Sequence, residues 1–105
     1  MQLLTKEILA LLPPLYANEQ KSLEETLVPL KIFNPMGAGT WYITEIDPET
    51  KEAFGFAVLF EGEGELGYIS IEELEGITLP LGLKIERDLH WDPKTTLAEV
   101  MRKEA

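Results

Sequence analysis

The sequence predicts an α+β fold, an antiparallel sheet of four to five strands with short helices at the N- and C-terminal ends. Three observations predict it. Short runs of alternating apolar and polar residues recur, separated by turns rich in Pro, Gly and Asp, which is the signature of strands and hairpins. Apolar residues spaced three and four apart occur near the two ends, which is the helical period. Hydrophobic residues make up 45 % of 105, too many for a disordered chain and enough for one modest core, so residues 1–105 read as a single domain.

Each element has a local cause. Leu4, Ile8, Leu11, Leu12 and Leu15 share a helical face. Thr5 supplies an N-cap, and Pro13 ends this helix near Leu12 because proline lacks a donor and pushes the preceding residue out of the helical region. Tyr16 to Thr26 is polar and reads as a loop or short helical turn. Val28, Leu30 and Ile32 alternate with their neighbours, and Pro29 fits an edge position or a strand start. After the Asn34–Gly39 turn, Trp41 to Ile46 alternates again, with Trp41 and Ile43 on one face and Tyr42, Thr44 and Ile46 on the other. Asp47 to Lys51 is a hairpin loop. Ala53 to Phe60 is apolar throughout, which suits a central strand covered on both faces. Phe54, Phe56, Val58 and Phe60 are expected to line one of those faces, with Trp41 and Ile43 nearby.

A Gly-rich loop leads into a short strand from Tyr68 to Ile71. Ser70 and Glu73 have capping-box spacing for a short helix that ends at Gly76. Leu81 to Trp91 alternates as a strand does, and as an extended segment lying across the domain also would. Arg87 interrupts its apolar row, so a carboxylate such as Glu86 or Asp88 is expected to hold it. Thr96 and Glu99 form a second capping box, opening a terminal helix with Leu97, Val100 and Met101 as its apolar stripe.

Composition and charge remove several function classes. Nineteen acidic and nine basic residues give a net charge of −10, which argues against direct nucleic-acid or anionic-membrane binding. No cysteine is present and histidine occurs once, so thiolate chemistry and a His-rich metal site are excluded, and no cofactor is expected. The first residues lack the order of a secretory signal, and a cytoplasmic location is expected.

The motifs are weak. Gly62 to Gly67 spells GxGxxG, but a dinucleotide site needs a long helix directly after it, and Tyr68 to Ile71 reads as a strand. The Gly37–Gly39 turn lacks the lysine of a phosphate loop. His90 sits beside Asp88 and Asp92 and reads as a surface or hydrogen-bonded histidine. Glu61, Glu63 and Glu65 alternate but lack further ligands converging in calcium-loop spacing, so no metal site is assigned.

Charge distribution carries the most information. Between Glu45 and Glu75 ten acids stand against the single Lys51, a net of −9 out of the chain's −10. Such a surface attracts basic partners and also keeps a small protein soluble, and both readings stand. The candidate partner-binding residues are Glu45, Asp47, Glu49, Glu61, Glu63 and Glu65.

Longer stretches carry a likeness. LLPPLYANE, VPLKIFNP, TWYITEID, FGFAV, ELGYISIEELE and LPLGLKIERDLHW, in that order from about Leu11 to Thr96, resemble the bacterial family called domain of unknown function 2958. The resemblance implies a small protein carried by plasmids, phages and other mobile elements, sometimes beside or fused to anti-restriction and DNA-processing domains. It implies no catalytic residue.

Two functions are therefore expected as alternatives. One is a non-enzymatic binding protein of a mobile element, docking its acidic side on a basic nucleic-acid-binding host or defence protein. The other is a small enzyme or cofactor-binding domain that uses carboxylates and the His90 region. The sequence sets no oligomeric state.

Overall fold

A computed structural model describes residues 2–105. Its sheet has five antiparallel strands, β1 (Leu30–Phe33), β2 (Thr40–Asp47), β3 (Glu52–Val58), β4 (Gly64–Ser70) and β5 (Glu86–Arg87), in the order β4-β3-β2-β1-β5. Three helices accompany it, α1 (Lys6–Leu11), α2 (Ile71–Gly76) and α3 (Leu97–Glu104). The α+β class and the short terminal helices agree with the sequence reading. Among the described residues no helix is long and apolar enough to cross a membrane.

The helix ends sit where the capping chemistry puts them. The Thr5 hydroxyl accepts the Ile8 N–H at 3.2 Å, and α1 stops as Leu12 turns to an extended conformation before Pro13. The Ser70 hydroxyl accepts the Glu73 N–H at 3.1 Å and starts α2. Thr96 and Glu99 cap each other reciprocally at the start of α3.

The sheet has a core on each side. On one face lie Leu30, Ile32, Ile43, Ile46, Ala53 and Ile69, covered by Leu3, Leu12, Leu74 and Ile85. On the other lie Tyr42, Phe56 and Val58, covered by Val28 and by Leu97 and Val100 of α3. The Trp91 indole N–H donates to the Val28 carbonyl at 2.7 Å and packs its ring 5.6 Å from that of Tyr42. Lys31 lies 5.4 Å from the centre of the Trp91 ring and 3.6 Å from the Asp88 carboxylate, so the segment from Asp88 to Trp91 is held to the sheet by both contacts.

Register corrects several expectations. Trp41 pairs with Ala57 and Ile43 with Gly55, so both lie on the face opposite Phe54, Phe56 and Val58; Tyr42, paired with Phe56, is the residue beside that row. β3 ends at Val58, and Phe60 is 65 % exposed in the turn that follows. β4 begins at Gly64, four residues earlier than the sequence suggests. Gly64 belongs there because it packs against Phe56: a Cβ at this position would lie 2.0 Å from the ring. Within Leu81–Trp91 only Glu86 and Arg87 pair as strand, against Phe33 and Ile32. The rest is a 3₁₀ turn at Pro80–Gly82, extended chain with an isolated bridge from Lys84 to Thr78, and a turn at Leu89–His90. The Arg87 guanidinium donates to the Gln2 carbonyl, tying this segment to the N-terminus.

A bulge at Thr44 alters β2. Ile43 faces Gly55 and Glu45 faces Phe54, so two residues of β2 oppose one of β3. Beyond it the alternation is reversed. Ile46 joins Ile43 in the core, and Glu45 passes to the face that carries Phe54.

Candidate functional site

The acidic residues separate into three places. The first is the β2–β3 hairpin. Asp47 accepts the Lys51 N–H through its carbonyl at 2.8 Å and the Glu49 N–H through its carboxylate at 3.0 Å, which closes the turn. The Ile71 N–H donates to the Lys51 carbonyl at 3.1 Å, so the start of α2 is bound to the same end of the sheet. Glu49, Glu52, Glu72 and Glu73 are exposed there, with Asp47 and Glu75 half-buried. Lys51 is the cation of this lobe, and Glu75 takes its ammonium at 2.9 Å. That hydrogen bond, then the charge of Glu75, holds the Lys51 amine above the usual lysine value. An exposed pair of this kind contributes little to stability. Its effect here is to engage the lobe's cation internally.

The second place is the β3–β4 turn. The Glu63 N–H donates to the Phe60 carbonyl at 3.0 Å, and Gly62 takes a positive φ of 77° that a side chain would strain. Glu61 and Glu63 are exposed in this turn. Glu65 is exposed in β4, opposite Ala57. The two hairpins close opposite ends of β3, so its seven residues separate them by about 20 Å at ~3.3 Å per residue. Asp47 and Glu49 thus do not meet Glu61, Glu63 and Glu65. The strand that runs from one lobe to the other is β4, whose far end leads into Glu72 and Glu73.

Glu45 stands apart from both lobes. Only 6 % of it is exposed, although the charge pattern placed it with the acidic partner-binding residues. Its carboxylate accepts the Tyr16 N–H at 3.2 Å and the Asn18 N–H at 3.1 Å. The Asn18 side chain donates to the Thr44 carbonyl at 3.3 Å. A buried carboxylate needs such donors, and here they fix the 16–18 segment over the sheet. The sequence carried no signal for this: with a core on each face of the sheet, Ile43 and Ile46 three apart fit an unbulged strand equally well.

Beside Glu45 lies an open groove of about 380 Å³ whose lining includes Tyr16, Leu23, Thr44, Phe54, Leu66 and Tyr68. The Phe54 and Tyr68 rings meet edge to face at 5.4 Å, and the Tyr68 hydroxyl donates to that of Tyr16 at 3.3 Å. That hydrogen bond, then burial, holds the Tyr68 phenol above its ordinary value. Tyr68 and Leu66 remain 58 % and 44 % exposed, so the groove opens onto the β4 side of the sheet.

The remaining sequence candidates have local roles. His90 is exposed, in a turn where its backbone N–H donates to the Asp88 carboxylate at 2.9 Å. Ser70 is the N-cap of α2. The GxGxxG run places Gly62 in a turn and Gly64 and Gly67 in β4, and the helix after it has six residues and begins only at Ile71. Among the described residues no group of three or more His, Cys, Asp or Glu side chains is placed to hold a metal ion.

The model of the family described as protein of unknown function (DUF2958) matches residues 3–104, nearly the full length, and the chain belongs to that family. No curated protein and no solved structure matches it.

Proposed function

We propose that this chain is an acidic binding protein that docks on a basic protein, the class of partner being a nucleic-acid-binding component of a host or its defences. One observation carries the reading. Exposed carboxylates stand at both ends of β4, while Lys51, the cation between Glu45 and Glu75, is engaged by Glu75. A surface that is one sign at two points about 20 Å apart steers an extended basic partner and aligns it along the line between them. A mobile genetic element is the setting proposed with it, on the family likeness in the sequence. Solubility alone would be served by acids placed anywhere on the surface.

The test is capture on the immobilised chain from a cell extract at low salt, followed by a salt gradient. A defined basic protein eluting with salt is the expected result. Elution of no basic protein, or retention indifferent to salt, contradicts the reading.

A further inference from the structure

We propose that the outer edge of β4 receives an extended basic segment of the partner as a sixth strand. The inference rests on the acidic docking reading and names the geometry by which docking occurs. Among the described residues β4 is the last strand of the sheet and pairs only with β3. The Ile71 N–H to Lys51 C=O bond fixes the alternation of the ladder, because bonded pairs recur every second residue in an antiparallel pair. Stepping back through Ile69–Ala53, Gly67–Gly55 and Glu65–Ala57, those residues turn their backbone groups toward β3. The N–H and C=O of Leu66 and Tyr68 therefore point outward, available to another strand.

Long free edges are ordinarily blunted by charged side chains, lysine above all, by proline or by a bulge. β4 has seven residues without lysine, proline or a bulge, and Glu65 is its one charge. Its acids instead select what can pair. Glu61 and Glu63 stand before it, Glu65 is within it, and Glu72 and Glu73 follow it. A second copy of this chain would pair antiparallel and set one copy's Glu61 and Glu63 against the other's Glu72 and Glu73, so like charges oppose a dimer at this edge. A lysine- or arginine-bearing strand meets opposite charge at both ends of the edge and at Glu65 within it. Its side chains would alternate between faces. One set would lie beside Glu65, and the other beside Leu66 and Tyr68 at the mouth of the groove. The occupant is accordingly a basic segment with alternate apolar residues, bound by strand addition.

The experiment uses the full chain and two peptides that alternate lysine and valine over the length of β4. One carries free amides. In the other every second amide is N-methylated, which keeps the charge and removes one row of donors. The expected result is that the free-amide peptide binds about tenfold or more tighter, as one or two lost hydrogen bonds imply, and slows exchange of the Leu66 and Tyr68 N–H groups. Equal, salt-sensitive binding of both peptides overturns strand addition while acidic docking stands. Binding of neither at low salt overturns both. Leu66→Pro removes an outward donor at an edge position where proline is tolerated, and it should weaken the free-amide peptide without moving the unfolding midpoint of the chain by much. Undiminished binding by that variant also overturns the proposal, as does concentration-dependent dimerisation that protects the same amides.

Discussion

The Glu45 carboxylate accepts the backbone N–H of Asn18 at 3.1 Å, joining the bulge of β2 to a segment 27 residues earlier. Its other oxygen takes Tyr16. This makes Glu45 a structural staple, distinct from the exposed acids of the same sequence stretch. Glu45→Ala leaves two amides without their acceptor and should cost about 1–3 kcal/mol in denaturant unfolding. Amide exchange at Tyr16 and Asn18 should accelerate, while association with the proposed basic partner stays close to wild type. A loss of association as large as that from the surface acids would show that Glu45 serves the interface.

Phe56 and Gly64 make the second prediction. Phe56 is 6 % exposed and lies between Tyr42 and the C-terminal helix, so Phe56→Ala should cost about 3–5 kcal/mol. Gly64→Ala drives a methyl group into the same ring and should cost about 1–3 kcal/mol by overpacking. Phe60→Ser, in the exposed turn, should change stability by less than about 0.5 kcal/mol. Urea unfolding midpoints of the three variants check the order.

Tyr42 predicts a pH dependence. Its hydroxyl donates to Glu104, binding the end of α3 to β2. Burial, then that hydrogen bond, raises the phenol well above its ordinary value. The native state therefore holds the proton more tightly than the unfolded chain. Its contribution is complete below the ordinary phenol value of about 10 and is lost as pH rises through the native value. Tyr42→Phe should cost about 1.5–3 kcal/mol at neutral pH and flatten the alkaline fall in stability between about pH 10 and 12. An alkaline fall as steep as that of wild type would place its origin elsewhere.

What was legible in the sequence is what local chemistry decides. Thr5, Ser70 and Thr96 marked three helix starts because an N-cap acts within three residues. The alternation of Leu30–Phe33 and Trp41–Ile43 marked strands because a pleat has period two. Register across strands was not legible. Trp41 faces Ala57 rather than Phe56, a parity set by the hairpin that joins β2 and β3. The Thr44 bulge inverted the faces of Glu45 and Ile46, and Glu45, counted among the exposed acids, is buried beneath the Tyr16–Asn18 segment that it binds. Gly64 and Gly67 looked like loop because glycine disfavours strands, whereas Gly64 is required by the ring across from it. Within Leu81–Trp91 the alternation was real, yet it belongs mostly to an extended segment, because the edge of β1 pairs with only Glu86 and Arg87.

The six acids proposed from the sequence divide in the same way. Asp47 and Glu49 lie at one hairpin, Glu61 and Glu63 at the other, Glu65 on the strand beyond, and Glu45 inside. Charge in a linear sequence reports the sign of a surface but not its layout. The layout turns a broad acidic face into two lobes joined by a free strand edge.

On the proposed reading, Glu61 and Glu63 of the β3–β4 turn and Glu65 of β4 recruit a basic protein. The most direct measurement is the association rate of the salt-eluted partner against ionic strength, for the wild-type chain and for the variant with Glu61, Glu63 and Glu65 all changed to Lys. These side chains are exposed and the turn is closed by the backbone bond from the Glu63 N–H to the Phe60 carbonyl, so the unfolding midpoint should be close to wild type. The expected association rate falls steeply with salt for wild type and is at least ~10-fold slower for the variant at low salt, with a smaller effect on dissociation. An association rate indifferent to salt and unchanged by the triple reversal would contradict it.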